Sequence, residues 1–294
     1  MATAKKKIVI SASRRTDLPA HHLGWLMDCV ERGEAPVDHP YTGQTAMVPL
    51  TPETVHSLVL WTKNPGPMLE TGALDHLLSR GFRLFVNLTV NSPHPILEPG
   101  VPLLKKRLAL MKALSDAISP ACINWRFDPI CHFENDQGQT SSNLTHFDEI
   151  AEAASDAGIT RCVTSFVDLY PKVMKRCKAA GFMLTDPPIH EKVATVLSLS
   201  DRLVKRGISL FTCCENEVQN ALPFGCGIEP SACIPGELLG RLFGGDLSLA
   251  KDSGQRKEHG CRCTKSREIG SYGRHPCPTN CLYCYGAASE SSNH

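Results

Sequence analysis

Apolar residues follow two alternating patterns through the first two-thirds of the chain. Six short runs are rich in β-branched and aromatic residues, at 8–10, 57–61, 83–90, 122–128, 162–167 and 208–212. The segments between them carry apolar residues at the spacing of an amphipathic helix, most clearly from 103 to 118. Strands that alternate with helices in this way form parallel sheets with right-handed crossovers. The pattern therefore predicts an α/β fold, as a complete or partial (β/α) barrel.

Signals at the ends of the predicted helices agree with this assignment. Pro19 begins a helical pattern that Gly33 ends. Thr145 and Asp148 have the spacing of a capping box for a helix through 157. A doubly wound open sheet is the alternative architecture, but no glycine-rich nucleotide-binding turn follows the first strand.

The composition changes near 213, where Gly, Pro and Cys become frequent. The tail from 244 onward is polar and has few apolar side chains with which to form a core. Metal binding can drive the folding of such a segment. We therefore expect a (β/α) barrel core over 1–220, and a cysteine-rich segment over 221–294 packed on the barrel rim.

Charge and hydropathy limit which partners and which cellular compartment we expect for the protein. The formal net charge of the 294 residues is +1, so composition alone gives no electrostatic reason to expect nucleic acid or an anionic membrane as a partner. No run of 18 apolar residues is present, and the apolar run after Lys7 is too short for a signal peptide. These features predict a cytoplasmic protein with no membrane partner.

Fourteen cysteines in a cytoplasmic chain require an explanation, because clustered thiols in a reducing compartment more often bind metal than form disulfides. Nine of them lie between 213 and 284. The other five are scattered in apolar patterns and are expected to be small buried hydrophobes, at Cys29, Cys122, Cys131, Cys162 and Cys177.

Three thiols near the end of the chain have the spacing Cys-x3-Cys-x2-Cys, at Cys277, Cys281 and Cys284. Three thiolates can hold three irons of a [4Fe-4S] cluster and leave the fourth iron open to an outside ligand. A structural zinc ion would instead take four protein ligands, and it remains the alternative metal. The spacing favours an open-site iron–sulfur cluster.

With Tyr283 directly before the third cysteine, this loop resembles the cluster loop of the radical S-adenosylmethionine (radical SAM) enzymes. The resemblance implies that the open iron binds the amino and carboxylate groups of SAM, and that an electron from the cluster cleaves its sulfonium. It also implies that Tyr283 packs beside the cluster or the adenine. In that family the loop usually follows the first barrel strand, whereas here it lies near the carboxyl terminus.

Polar residues follow every predicted strand, and the carboxyl ends of barrel strands are where active sites form. Such groups suit the carboxylate and ribose hydroxyls of SAM or a substrate. Asp17 precedes Leu18-Pro19 and has a second possible role as a helix cap. The expected catalytic residues are Arg14, Arg15, Asp17, Lys63, Arg126, Asp128 and Glu215. The expected cofactor-binding residues are Ser13, Asn87 and Ser165, together with Tyr283.

A second group of thiols can complete an auxiliary [4Fe-4S] cluster, which takes four thiolates. The expected ligands are Cys214, Cys233, Cys261 and Cys263, with Cys213 and Cys226 as possible substitutes. The close pair Cys261-x-Cys263 is the strongest part of this assignment.

Motifs along nearly the whole chain resemble a bacterial and archaeal domain-of-unknown-function family with a C-terminal radical-SAM-like cysteine motif. They are the segments 11–17 (SASRRTD), 61–65 (WTKNP) and 255–257 (QRK), followed by the terminal Cys-x3-Cys-x2-Cys-Tyr. That family typically has Cys-Gly-Cys where this chain has Cys261-Arg262-Cys263, and often Cys-Ile-Asp where it has Cys233-Ile234-Pro235. The resemblance supports cluster binding and supplies no substrate.

A circular permutation would reconcile the late position of the loop with the radical SAM arrangement. Residues 268–272 would form one more strand leading into the loop, with the first strand of the chain beside it. Permutation is tolerated when the chain termini meet at the surface. This hypothesis places 13–17 close to SAM, and it requires the loop to lie at the carboxyl edge of the sheet.

Together these features predict a radical SAM-type enzyme that acts on a small-molecule or other unknown substrate and receives electrons from a donor such as flavodoxin or ferredoxin. The opposing interpretation is a non-catalytic zinc or iron–sulfur module that binds nucleic acid through the basic residues of the tail. A third interpretation is a cluster that cleaves another bond of SAM, or that serves electron transfer or redox sensing without SAM.

Overall fold

The computed structural model describes residues 6–38, 42, 44–134, 138–254 and 256–286. Gln255 of the 255–257 motif therefore lies outside the described residues. The strands are β1 (Ile8–Ala12), β2 (Glu34–Asp38), β3 (Thr45–Pro49), β4 (Val55–Thr62), β5 (Leu84–Thr89), β6 (Ile123–Ile130), β7 (His132–Glu134), β8 (Thr140–Ser142), β9 (Arg161–Phe166), β10 (Met183–Thr185), β11 (Ser209–Thr212), β12 (Glu229–Pro230) and β13 (Arg267–Glu268).

The helices stand between the strands in the order that the hydrophobic pattern predicts. They are α1 (Leu18–His21), α2 (Leu23–Arg32), α3 (Gly66–Glu70), α4 (Ala73–Ser79), α5 (Leu104–Ala117), α6 (Phe147–Asp156), α7 (Pro171–Ala179), α8 (Ile189–Val204), α9 (Asn216–Ala221) and α10 (Gly236–Phe243), with a 3-10 turn at Pro120–Cys122. None of the helices in the described ranges is both long and apolar enough to cross a bilayer.

Eight strands form one parallel sheet, in the order β12-β11-β9-β6-β5-β4-β1-β13. The predicted parallel α/β architecture is thus confirmed. The sequence pattern missed β12, and the strand expected at 268–272 is the shorter β13. Within the described residues no ladder joins β12 to β13, so the sheet is open at its two ends.

The last strand of the sheet lies beside the first. Ile10 of β1 is in register with Arg267 of β13, and Ser11 with Glu268. The backbone N–H of Ile269 then donates to the carbonyl of Ser11 at 2.9 Å. The chain therefore leaves β13 at the edge where β1 ends, and the residues that follow it start there.

The two faces of the sheet are covered by different parts of the chain. Alternate strand residues point to opposite faces. One set, which includes Ile10 and Trp125, packs in the core with the helices. The other set, which includes Val59 and Phe85, packs against residues from the cysteine-rich segment such as Ile234. The cysteine-rich segment is thus built onto one face of the sheet.

Local predictions were confirmed at most helix ends, with three exceptions. The segment from Pro19 to Gly33, predicted as one helix, is divided at His22 into α1 and α2. Gly33 ends α2 with a left-handed φ of 74°, as the pattern predicts. The capping box is absent, because the N-cap of α6 is His146, whose side chain makes no capping hydrogen bond, and Asp148 instead accepts from Arg202 at 3.0 Å. Leu103, assigned to the buried face of α5, precedes that helix and is 83% exposed.

Candidate metal centre at the carboxyl edge of the sheet

The cysteine loop after β13 lies at the carboxyl ends of the strands. Lys63 follows β4, and its Nζ is 3.0 Å from the hydroxyl of Tyr283. Asn91 lies beyond the end of β5, and its side-chain amide donates to the same hydroxyl at 3.2 Å. The position that the permutation hypothesis requires for the loop is therefore the observed one.

Contacts from separate elements fix the backbone of this loop. The N–H of Leu282 donates to the carbonyl of Leu97 at 2.9 Å, and the N–H of Gly100 donates to that of Thr279 at 3.1 Å. Arg176 of α7 donates to the carbonyl of Leu282 at 2.9 Å. Because these backbone groups are satisfied from outside the loop, the conformation of the loop depends on the surrounding fold.

A buried carboxylate organises the polar groups beneath the loop. Only 1% of the Glu98 side chain is exposed, and its Oε1 accepts from Lys63 at 2.7 Å and from Asn91 at 2.8 Å. The hydroxyl of Tyr283 donates to the same oxygen. Although burial opposes it, the charge of Lys63 holds the pKa of Glu98 below its ordinary value, and Glu98 in turn raises the pKa of Lys63.

Arg107 of α5 adds a second buried cation to this network. Its Nη1 donates to the carbonyl of Asn91 at 2.9 Å and lies 3.7 Å from Oε2 of Glu98. The Nε and Nη2 atoms of Arg107 and the Oε2 atom of Glu98 are buried without a hydrogen-bond partner. Burial lowers the pKa of Arg107. The sequence analysis missed Glu98, Asn91 and Arg107, because two of them lie in a proline-rich loop and the third lies within a helical pattern.

The three thiols of the loop differ in their exposure. Cys281 is buried, and its burial raises the pKa of the thiol to about 12. Cys277 and Cys284 are half-buried. Cys277 contacts the hydroxyl of Thr279 at 3.3 Å, and the N–H of Gly286 donates to Cys284 Sγ at 3.3 Å. A thiolate that binds iron accepts hydrogen bonds of the kind that Cys284 receives, and three thiol side chains are a suitable ligand set for an iron–sulfur cluster.

In the part of the chain that the structure describes, no three His, Cys, Asp or Glu side chains stand in an arrangement ready to hold a metal ion. The three loop thiols nevertheless lie on one short segment, and Cys277 and Cys284 both act electrostatically on Cys281. A metal centre at this position therefore requires the thiol side chains to reorient.

Residues at the end of β1 attach that strand to the tail. Arg14 forms an ion pair with Glu268, its Nε lying 2.8 Å from Oε2. Arg15 donates from Nη1 to the carbonyl of Gly270 at 3.1 Å, and its backbone N–H donates to the buried Ser13 hydroxyl at 2.9 Å. Three of the predicted site residues thus lie directly beside the segment between β13 and the cysteine loop.

Asp17 has the capping role that the sequence left open. Its carboxylate accepts from the N–H of Ala20 at 3.0 Å at the start of α1, and from the N–H of Lys63 at 2.7 Å. Burial raises the pKa of Asp17. Both carboxylate oxygens bind the protein itself, so Asp17 positions the end of β4 relative to β1.

Arg126, Asp128 and Ser165 form one connected group on neighbouring strands β6 and β9. Arg126 and the hydroxyl of Ser165 both donate to the carboxylate of Asp128. The Arg126 guanidinium also lies 5.3 Å from the ring centre of Trp61 and donates to Cys233 Sγ at 2.9 Å. These three predicted rim residues are therefore brought together, and Arg126 links them to the second thiol group rather than to the Cys277 loop.

Asn87 and Glu215 also belong to the surroundings of the second thiol group. Asn87 is fully buried and donates to the carbonyl of Cys233 at 3.0 Å. Glu215 accepts from the N–H of Phe166 at 2.7 Å, and burial raises the pKa of its carboxyl to about 7. Glu215 lines a cavity of about 650 Å³ whose wall includes Cys214 and Cys261.

Five thiols meet on the face of the sheet that the cysteine-rich segment covers. Cys213 Sγ lies 3.1 Å from Cys233 Sγ. Further thiol–thiol contacts run from Cys233 to Cys263, from Cys263 to Cys261, from Cys261 to Cys214 and from Cys214 back to Cys213. We call these five residues the thiol ring.

The thiol ring agrees with the expected second group and extends it. The four expected residues are all members, and Cys213, named as a substitute, is the fifth. Cys226, the other substitute, instead packs against the main core. All fourteen cysteines lie among the described residues, and none forms a disulfide. Hydrogen bonds from Cys214 and Cys263 lower the pKa of Cys261 to about 3.

The scattered cysteines are buried, as the apolar patterns predict, at Cys29, Cys122, Cys131, Cys162 and Cys177. Burial raises the pKa of each of these thiols. They behave as small hydrophobic side chains of the core.

Comparison with known protein families identifies the family of this chain. Residues 9–286 match the family described as Domain of unknown function (DUF1848), and the chain belongs to that family. No curated protein matches the sequence. The match extends from β1 to the residues just after Cys284, so it includes the sheet, the thiol ring and the cysteine loop.

Proposed function

We propose that this protein is a radical SAM-type enzyme, in which Cys277, Cys281 and Cys284 bind an open-site [4Fe-4S] cluster and S-adenosylmethionine is the co-substrate. The observation that supports this proposal is the pairing of β13 with β1, because it starts the cysteine loop at the carboxyl edge of the sheet. The loop then contacts the end of β4 through the bond between Tyr283 and Lys63. The order of elements is then that of a circularly permuted partial (β/α) barrel, with the cluster loop following a strand.

Cys277, Cys281 and Cys284 would hold the cluster, and its chemistry when bound would be the one-electron reduction that cleaves the sulfonium of SAM. The remaining chemistry belongs to the protein, which binds, orients and excludes water. Glu98 holds Lys63, Asn91 and Tyr283 in one network under the loop. These contacts fix the loop that carries the thiols relative to the ends of β4 and β5.

The group best placed to bind the carboxylate of SAM is Arg15. Its guanidinium lies beside the segment that leads from β13 to the loop, where it donates to the carbonyl of Gly270 and stands 5.8 Å from the ring centre of Tyr272. A guanidinium has five N–H donors in a planar fork that suits a carboxylate, so the bond to Gly270 leaves further donors for a ligand.

The non-catalytic nucleic-acid module is less well supported by the charges of the tail. Arg256 pairs with Asp168, and Arg274 pairs with Asp38. Basic side chains that are neutralised by acidic partners contribute less to a positive surface for phosphate groups. We therefore adopt the radical SAM-type enzyme, rather than the nucleic-acid-binding module, as the proposed function.

Anaerobically reconstituted protein tests the first step of this function, which is the binding of SAM at an open iron. We expect the electron paramagnetic resonance spectrum of the reduced protein to change when SAM is added. Cys281→Ala should abolish that change, and Cys226→Ala, at a half-buried cysteine outside both thiol groups, should retain it. A spectrum that SAM leaves unchanged in iron-loaded protein would contradict the proposal.

A further inference from the structure

We propose that the thiol ring, Cys213, Cys214, Cys233, Cys261 and Cys263, binds a second iron–sulfur cluster that is buried on one side and faces a solvent cavity on the other. This cluster would be held by residues distinct from those of the Cys277 loop, and the inference stands whether or not that loop binds its own cluster.

The fold brings the five thiols together from three separate segments. Cys213 and Cys214 directly follow β11, Cys233 lies in the turn before α10, and Cys261 and Cys263 come from the polar tail. Cys214 has a left-handed φ of 61°, a strained backbone conformation for a residue other than glycine. The strained residue lies at the point where two adjacent thiols, Cys213 and Cys214, enter the ring.

Buried positive charge faces the sulfur atoms. Arg126 is 5% exposed and donates from Nη1 to Cys233 Sγ at 2.9 Å, while its other end pairs with Asp128. The charge of Arg14 also acts on Cys263 and Cys233. Asp128 neutralises one end of the Arg126 guanidinium while the other end donates to a ring sulfur, and a charged N–H donor in this position suits a thiolate ligand.

Hydrogen bonds and packing support the residues that carry the thiols. The N–H of Ile234 donates to Cys263 Sγ at 3.4 Å, and Asn87 donates to the carbonyl of Cys233 at 3.0 Å. Hydrogen bonds to the ligand sulfur atoms and to the backbone that carries them orient the ligands and tune iron–sulfur clusters. The groups that support the ligands are therefore in place on the buried side of the ring, and the thiol side chains themselves would reorient to bind a cluster.

The composition and spacing of the ring favour a cluster over a single zinc ion. Structural zinc takes four ligands, commonly from Cys-x2–4-Cys hairpins, with Zn–S distances of about 2.3 Å that separate the sulfur atoms by about 3.8 Å. The ring instead has five sulfurs, an adjacent Cys213-Cys214 pair and a single-residue Cys261-x-Cys263 spacing. A thiolate-only set suits both metals, so the cluster is favoured by the number and spacing of the thiols.

The cavity of about 650 Å³ reaches the ring at Cys214 and Cys261, which are its two half-buried members. An access path is one of the requirements for a metal site. Lys257 and Arg262 line the same cavity, so its lining is partly cationic. The cluster would be assembled through this side, and small molecules or an electron donor would reach it there.

The decisive experiment removes the three thiols of the Cys277 loop and measures the iron and sulfide that the protein still binds. The triple variant Cys277→Ala/Cys281→Ala/Cys284→Ala is purified anaerobically and reconstituted with iron and sulfide, and its fold is checked by circular dichroism. We expect it to retain about four irons and four sulfides per chain, with the broad absorption of a cluster, whereas the wild-type protein holds about eight of each. A folded triple variant that binds no iron, or that holds zinc in place of iron, overturns the inference.

The same counts separate the failure of this inference from the failure of the proposed function. Equal iron in the wild-type protein and the triple variant means that the ring binds a cluster and the Cys277 loop does not. Iron lost completely in the triple variant means the reverse.

A single substitution at the accessible side of the ring provides a second measurement if the triple variant, which lacks the buried Cys281 thiol, does not fold. Cys261→Ala in otherwise wild-type protein should lower the iron content or shift the absorption of the reconstituted protein. Cys226→Ala alone is the matched control and should leave both unchanged. Identical iron contents and spectra for the two single variants would contradict a cluster ligated by the ring.

Discussion

The Nζ atom of Lys63 lies 3.0 Å from the hydroxyl oxygen of Tyr283, although 220 positions separate the two residues. The contact joins the carboxyl end of β4 to the cysteine loop. It places the loop at the edge where parallel strands of α/β proteins bind their ligands. Both groups share the buried carboxylate of Glu98, so the position of the loop depends on a small number of polar contacts.

Tyr283→Phe should loosen the cysteine loop without removing a thiol. The substitution leaves Lys63 and Asn91 without a shared hydroxyl, and the loss of hydrogen bonds with charged partners costs about 1.5–3 kcal/mol. Chemical denaturation should show this decrease in the free energy of unfolding, and reconstituted protein should hold less iron. Tyr272→Phe, at a 44% exposed ring in the same tail, is the control and should change neither quantity.

Glu98→Gln should destabilise the protein by about 3 kcal/mol or more, because it leaves Lys63 as a buried cation without its anionic partner. The matched control is Glu70→Gln, which removes an exposed ion pair with Lys106. Exposed pairs contribute about 0–1 kcal/mol. Equal losses for the two variants in urea unfolding would show that Glu98 does not organise the loop.

Gly100→Ala tests the close approach of the 97–100 segment to the cysteine loop. A Cβ atom at this position would lie 2.7 Å from both the Cα and the carbonyl oxygen of Thr279. The backbone must move to relieve this contact, at a cost of about 1–3 kcal/mol. We expect a lower melting temperature and weaker iron binding at Cys277, Cys281 and Cys284.

Gly24→Ala is the natural control for that substitution, because no atom lies within 4 Å of its Cβ position in α2. Alanine favours a helix over glycine by up to about 1 kcal/mol. This variant should be as stable as the wild-type protein or slightly more so. A Gly100→Ala protein that is equally unaffected would contradict the tight packing of the loop.

His56 should make the stability of the fold depend on pH. Its Nε2 is 2.8 Å from the carbonyl of Gly244, and burial lowers the pKa of the ring below its ordinary value, with Arg83 and Lys7 nearby. Because the unfolded chain protonates first, near pH 6.5, the unfolding free energy should decrease as pH falls from about 7 through the folded-state pKa. Denaturation at pH 7.5 and 5.5 measures this difference.

Two histidine variants isolate that contribution. His56→Gln should have a smaller difference in stability between the two pH values than the wild-type protein. His190→Gln, at a side chain that is 78% exposed, should retain the wild-type difference. If His56→Gln retains it as well, the pH dependence comes from other groups.

The sequence predicted those parts of the fold that repeat a simple period. Alternation of apolar runs with helical segments was sufficient to predict the parallel sheet, and Gly33 was sufficient to predict where α2 ends. Short elements carry too little pattern, so β12 was missed and β13 was placed slightly too late. Asp148 looked like a cap, but its ion pair with Arg202 on α8 uses the carboxylate instead.

The candidate site was predictable in its thiols and much less so in its polar partners. The Cys-x3-Cys-x2-Cys spacing was sufficient to predict Cys277, Cys281 and Cys284 as candidate ligands, because all three lie on one short loop. Glu98 gave no signal, since its role arises only when the 97–100 segment and the tail meet in space. The rim residues were found because they follow strands, but their division between the cysteine loop and the thiol ring depends on side-chain contacts such as that of Arg126 with Cys233.

The measurement that tests the proposed function most directly is the analysis of the nucleoside released when reduced, iron-loaded protein is incubated with SAM. We predict 5′-deoxyadenosine from the wild-type protein and none from Cys281→Ala. Methylthioadenosine in its place would indicate cleavage of a different bond. Unchanged SAM, with the cluster present and reduced, would contradict the proposal.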